Sequence, residues 1–311
     1  MLDVFLLTLS NAGKLLLFIA VGYVLRRHHD LPKEAGKVLS SLLTRVISPA
    51  YSIYNISSSL TVDVLGQKLM LFGFGLLFAL VAVGISFLLS KPFARNHIER
   101  SSLIYAFAFS NYGYFGYPIA EGVFGSAFLA DMLVFALPLS LSVSTFGYSL
   151  FMSDHKAKVR DVLFSPLVVG VVIGAAIGLS GVKMPAFFTG ALKSLGGCMS
   201  PCSMILAGFM MGKFPLKNLL TGWRPYVFSA IRLMGIPALY GLILLLLGVK
   251  GQFFMLAMLV ASLPLGLNLV VYPESLGHEK EASENAKLCF ISYLMALVVL
   301  PLAVALYTHI A

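Results

Sequence analysis

Residues 111–118 read Asn111-Tyr112-Gly113-Tyr114-Phe115-Gly116-Tyr117-Pro118, and they stand in the middle of an apolar run. Two glycines and a proline within eight residues are hard to keep helical. Proline removes a ladder hydrogen bond and clashes with the preceding turn, at about 3 kcal/mol or more, and glycine adds an entropic penalty. In hydrocarbon the freed backbone groups need a partner, so such a stretch must line a protein-buried or wet cavity. A second stretch, Ser262-Leu263-Pro264-Leu265-Gly266-Leu267-Asn268, has the same chemistry. Each half-helix that starts after a break points its N–H groups and positive dipole end into the membrane interior. Two such ends meeting form a cradle for an anion, with Asn111 and Asn268 beside it as neutral donors and acceptors. Isolated prolines such as Pro237 and Pro301 read as kinks; matched Asn/Gly/Pro clusters in both halves read as a binding site.

The composition around these stretches excludes a soluble chain. Of 311 residues, 59% are apolar and only 11% charged, with a mean hydropathy of +0.92, whereas a soluble domain carries roughly 25% charged residues. A soluble enzyme, a nucleic-acid binder and a disordered chain are ruled out on this ground. A spanning helix needs about 20 mostly apolar residues, and blocks of that kind predict ten spans, at 2–25, 36–58, 66–90, 100–124, 127–152, 163–180, 187–212, 223–247, 252–276 and 283–309. The first reads as a retained span, since Met1-Leu2-Asp3 lacks the basic start of a signal peptide. Long apolar runs without ten-residue alternation exclude a transmembrane barrel.

The net charge of +9 is mostly topology. Fifteen Lys and Arg fall in alternate loops (26–37, 91–100, 156–160, 213–224 and 280–287) against four on the other side, Lys68, Lys183, Lys193 and Lys250. Lys and Arg prefer cytoplasmic loops, which places the first group in the cytoplasm and both termini outside. Five spans per half make the halves antiparallel, and a displacement of 152 residues pairs Gly22 with Gly174, Ser48-Pro49 with Ser200-Pro201, Ser110 with Ser262 and Gly125 with Gly277. The expected fold is therefore an all-α membrane protein of two inverted five-helix repeats, 1–152 and 163–311, joined by a cytoplasmic linker at 153–162.

The same residues resemble the auxin efflux carrier family, which includes bacterial carriers of malate- or malonate-type acids and plant auxin exporters. The match runs nearly end to end. It takes in Gly22-Tyr23-x-Leu25-Arg26-Arg27, Pro49, the Asn-x-Gly-x-x-Gly-x-Pro run of 111–118 followed by Gly125, Pro201 and Gly208, Arg232 five residues before Pro237, and Pro264-x-Gly266-x-Asn268. The resemblance implies crossing discontinuous spans 4 and 9, as in bile-acid-symporter-like and NhaA-like folds. It further implies a scaffold of spans 1, 2, 6 and 7, a moving domain of spans 3–5 and 8–10, an elevator-like cycle, a homodimer through the scaffold and a place in the plasma (inner) membrane. By it Asn111, Pro118, Pro264 and Asn268 line the substrate site, and Gly113, Tyr114, Gly116 and Gly266 of the same two breaks are expected to bind substrate with them. Tyr112, Tyr114 and Tyr117 depart from the smaller residues common in the family, which leaves the substrate open.

Charges placed inside spans cost about 2.5–3.5 kcal/mol each on insertion scales, so Lys14, Arg45 and Arg232 need water, a partner or a ligand. Arg232 has two readings, binding or gating a carboxylate and structural pairing with a carbonyl or acid; Lys14 and Arg45 suit structural or headgroup roles. Glu121 and Glu274 are either proton-coupling sites, since burial favours a protonated carboxyl, or solvated helix-end acids. The six histidines lie in loops or at span ends, Cys198 and Cys202 lack further ligands for zinc, and no Gly-x-x-x-x-Gly-Lys loop is present. No metal, cofactor or nucleotide is thus implied. The expectation is a secondary carrier of small organic anions, mono- or dicarboxylates such as malate or an indole acid, with an anion channel or a sodium-coupled symporter as the alternatives.

Overall fold

The computed structural model describes residues 1–32, 34–152 and 164–310; the linker predicted at 153–162 lies outside the described residues. Every regular element among them is helical, and the one extended pairing is an isolated antiparallel bridge between Ser110 and Leu265. The helices are α1 (Leu2–Arg27), α2 (Ala35–Leu42), α3 (Ser48–Ser59), α4 (Leu65–Ser90), α5 (His97–Ala108), α6 (Tyr117–Ser142), α7 (Pro166–Ser180), α8 (Ala186–Gly197), α9 (Met199–Met211), α10 (Leu216–Leu219), α11 (Arg224–Ala230), α12 (Ile236–Leu246), α13 (Gly251–Ser262), α14 (Asn268–Ser275) and α15 (Glu279–Ile310).

Among the described residues six helical runs are long and apolar enough to cross a bilayer: Leu2–Arg27, Leu65–Ser90, Tyr112–Gly147, Ala186–Met211, Arg224–Leu246 and Glu279–Ile310. The other apolar blocks of the sequence are shorter or interrupted helices. Three of the four π-helical segments (Leu43–Ile47, Tyr112–Gly116 and Ile231–Gly235) run directly into Ser48-Pro49, Tyr117-Pro118 and Ile236-Pro237. A prolyl ring collides with the carbonyl four residues back, and a widened turn relieves the collision without ending the helix. The run Tyr112–Gly147 is itself folded in two at Gly125, whose φ of 86° and ψ of 176° only glycine adopts easily.

Glycine also sets the closest helix contacts. A Cβ on Gly22 of α1 would overlap the Ile205 carbonyl of α9, and one on Gly208 would overlap the Ile19 carbonyl. Gly174 of α7 packs on α3 in the same way, with Ile53 Cα 3.1 Å from where its Cβ would be. Small residues let backbones approach where lipid offers no hydrophobic drive to pack. The two contacts, Gly22 on Ile205 and Gly174 on Ile53, are related residue for residue by the displacement of 152.

α5 starts in a reciprocal cap: Asn96 Oδ1 accepts the Glu99 amide at 2.8 Å and Glu99 Oε2 accepts the Arg95 amide at 2.7 Å. Lys68, assigned to the lysine-poor loops by the charge tally, is instead buried in the first turn of α4 against Asp131. The second Asp131 oxygen accepts from Gln252 of α13, so one carboxylate ties α4, α6 and α13 together. A cation and an acid at matching depth pair with each other more cheaply than either reaches water.

A candidate anion site at the crossing of two broken helices

The main chain decides the site. α5 stops at Ala108, Phe109 is extended (φ −118°, ψ 124°), and Asn111 (φ −83°, ψ 55°) turns the chain into the π segment that opens α6. α13 stops at Ser262, and Leu263 is extended (φ −70°, ψ 150°), as a residue before proline tends to be. The two interruptions meet. The Asn111 amide donates to the Pro264 carbonyl at 2.8 Å beside the Ser110–Leu265 bridge, and the Leu265 amide donates to Ser292 Oγ of α15 at 3.2 Å.

Asn111 is the keystone of the first break. Its Oδ1 accepts the Tyr114 amide at 3.2 Å and its Nδ2 donates to Tyr293 Oη at 2.7 Å, while its carbonyl accepts the Phe115 and Gly116 amides at 3.1 and 2.9 Å. Asn268 opens α14, with its Nδ2 3.2 Å from Tyr272 Oη. The amides of Tyr112 and Gly113 in one break, and of Leu267 and Asn268 in the other, have no acceptor among the described residues. They are the orphan donors that any helix start leaves over.

These four residues share a cavity of about 320 Å³. Its wall also includes Ser40 of α2, Thr44 of the π segment Leu43–Ile47, Ser48 of α3, Ser140 and Ser144, Met199 of α9 and the start of α7 (Ser165 to Leu167). Five tyrosines line it, Tyr105, Tyr112, Tyr114, Tyr117 and Tyr272, and none of the lining side chains is charged. Ser110 is only 5% exposed, lines the cavity, and its Oγ has no partner among the described residues. A buried hydroxyl left unpaired costs about 1–3 kcal/mol, and this oxygen faces the cavity with its hydrogen-bonding capacity free for a water or a guest. Tyr51 of α3 stacks on Tyr117, the first residue of α6, with centroids 5.9 Å apart.

Of the residues singled out in the sequence, Asn111, Gly113, Tyr114, Gly266 and Asn268 line this cavity. Gly116 lies behind it, where a Cβ would press into Leu263 and Met132. Pro118 is the second residue of α6, and Pro264 contributes its carbonyl to the crossing. Arg232 is buried outside the cavity. Glu274 pairs with Lys213 and Glu121 is exposed on α6, so neither carboxylate reaches the cavity wall. Sequence reasoning passed over Ser110 as a binding group, although a hydroxyl next to Asn111 at the break was a legible signal. It had no means of finding Ser40, Thr44, Ser48 or Ser165, which arrive from separate helices.

The chain is a helical membrane protein with an uncharged cavity where two broken helices cross. The chain matches the family described as "Membrane transport protein" over residues 11–160 and 149–304. It is a member of that family, the auxin efflux carriers. It is 25% identical over 215 residues to an uncharacterized transporter of Methanocaldococcus jannaschii, covering 65% of this chain and 68% of that protein. It is 23% identical over 307 residues to an uncharacterized transporter of Methanothermobacter thermautotrophicus, covering 96% and 98%.

Proposed function

We propose that this transporter is a secondary carrier of small organic anions and that it prefers monocarboxylates. The observation that carries this reading is the convergence of two half-helix starts and the unpaired Ser110 hydroxyl on one cavity without a charged wall. Each helix start is equivalent to about half a positive charge, so two of them compensate about one carboxylate. A second carboxylate would find no cation in the wall and would carry an uncompensated desolvation cost. Tyrosine rings around the remaining volume suit an apolar or aromatic body.

The transport cycle we favour has ten spans in two inverted five-helix repeats, with scaffold spans 1, 2, 6 and 7 and a moving domain of spans 3–5 and 8–10. The contacts of Gly22 on Ile205 and Gly174 on Ile53, related by the sequence displacement, support the repeat. Gly125 and Gly277, paired by the same displacement, both take positive φ (86° and 83°) after the two broken helices. The cavity reaches Ser40, Ser144 and Ser165, which adjoin the Lys- and Arg-rich loops. Under the charge-based orientation this conformation opens toward the cytoplasm, with the Tyr51–Tyr117 stack on the other side. Assembly as a homodimer through the scaffold, in the plasma membrane, completes the proposal.

The test is uptake by purified protein in liposomes, with labelled benzoate and malate at equal concentration. The reading requires saturable benzoate uptake with counterflow and weak competition by malate. Failure of every carboxylate to compete or to raise the thermal midpoint by mass action, or unitary channel currents, would overturn it.

A further inference from the structure

Arg232 is the one charge deep in the structure for which the described residues offer no acid. It sits in the π segment Ile231–Gly235 between α11 and α12 and is 2% exposed. Its Nη2 lies 3.4 Å from the Val260 carbonyl, and its Nε has no partner among the described residues. Lys68, by contrast, has Asp131.

The identity of that carbonyl is informative. In an α-helix the Val260 carbonyl accepts the amide of residue 264, and residue 264 is proline, which has no N–H. Pro264 thus both stops α13 and orphans the carbonyl that Arg232 reaches. A buried carbonyl end also carries the negative pole of the helix dipole, which a cation stabilises. In the first break the Phe109 amide donates to the Tyr105 carbonyl at 2.9 Å, and the proline of that stretch, Pro118, lies beyond the turn. The position displaced by 152 from Arg232 is Leu80, 63% exposed on α4.

We propose that Arg232 is a positioning residue of the anion site: it replaces the donor missing at Pro264, neutralises the end of α13, and so holds the second break with its free amides toward the cavity. The proposal rests on the reading of the crossing as the binding site, but Arg232 itself touches the break and not the guest.

The experiment compares R232K, R232M, P264A and R232M/P264A as purified protein without substrate, by thermal midpoint and by amide exchange at Leu265 and at Leu269–Val271, whose amides are bonded to Ser292 Oγ and to the Gly266 and Leu267 carbonyls. R232M should exchange about tenfold faster there, and R232K, which keeps a charged donor, should stay within about threefold of the parent. Restoring an N–H with P264A should recover part of the midpoint lost in R232M, a coupling expected only of groups that share a partner. Equal damage in R232K and R232M, or additive losses in the double variant, overturns the proposal. So does unchanged exchange in R232M with a raised KM for benzoate, the signature of a direct ligand. If R232M does not fold, recovery of folded R232M/P264A supports the proposal and its failure too overturns it. Because exchange and midpoint are read without substrate, an absence of carboxylate transport would sink the functional reading and leave this result standing.

Discussion

Ser110→Ala should raise stability and lower affinity at once. The hydroxyl is buried with no partner, so its removal relieves a desolvation cost and should leave the apo protein as stable as before or better by about 1 kcal/mol. A hydrogen bond from that hydroxyl to a charged carboxylate contributes about 1.5–3 kcal/mol, which is roughly a 10- to 150-fold rise in Kd. At a ligand concentration about 100 times the parent Kd, binding stabilises the parent by about 2.7 kcal/mol. With Kd raised about 30-fold, the same concentration stabilises the variant by only about 0.9 kcal/mol. The assay is the thermal midpoint of detergent-solubilised protein titrated with benzoate, read beside liposome uptake. A variant that binds benzoate like the parent refutes the assignment of Ser110 to the guest, whatever its stability. A clear loss of apo stability refutes the claim that the hydroxyl is unpaired.

Asn111→Asp keeps the cap on Tyr114, since aspartate caps as well as asparagine, and Tyr293 can donate to the new carboxylate. The cavity of about 320 Å³ holds its guest within roughly 5 Å of this side chain, where like charges repel by about 3 kcal/mol at an effective dielectric of about 20. Carboxylate affinity should fall more than about a hundredfold in folded protein; a folded N111D with intact benzoate binding would place the anion elsewhere. Asp131→Ala strands the buried Lys68 and should cost about 3–5 kcal/mol. The pair K68M/D131L should recover most of it, and a thermal midpoint no better than that of D131A would show that the ion pair is not what joins α4, α6 and α13.

The amino-acid sequence alone determined that this chain is helical and membrane-embedded, because composition and run length are sums over residues and need no knowledge of contacts. It also located both interruptions, since the geometry that glycine and proline impose is local: Asn111 to Pro118 and Leu263 to Asn268 break wherever they are placed. The ten spans counted from apolar run length are, among the described residues, six long runs and several shorter or interrupted helices, because run length alone does not fix where a helix ends. Which partners the interruptions found was decided only by packing. Asn111 meets Pro264 because two helices more than 150 residues apart in the chain cross, and the same crossing gathers hydroxyls from α2, α3 and α7 around the orphan amides. Charge shows the limit most clearly. Arg232, Lys68 and Glu274 are visible as costly charges in any reading of the sequence. Whether each faces a guest, a carbonyl or an opposite charge is a matter of a few ångströms, and tertiary structure placed them on Val260, Asp131 and Lys213.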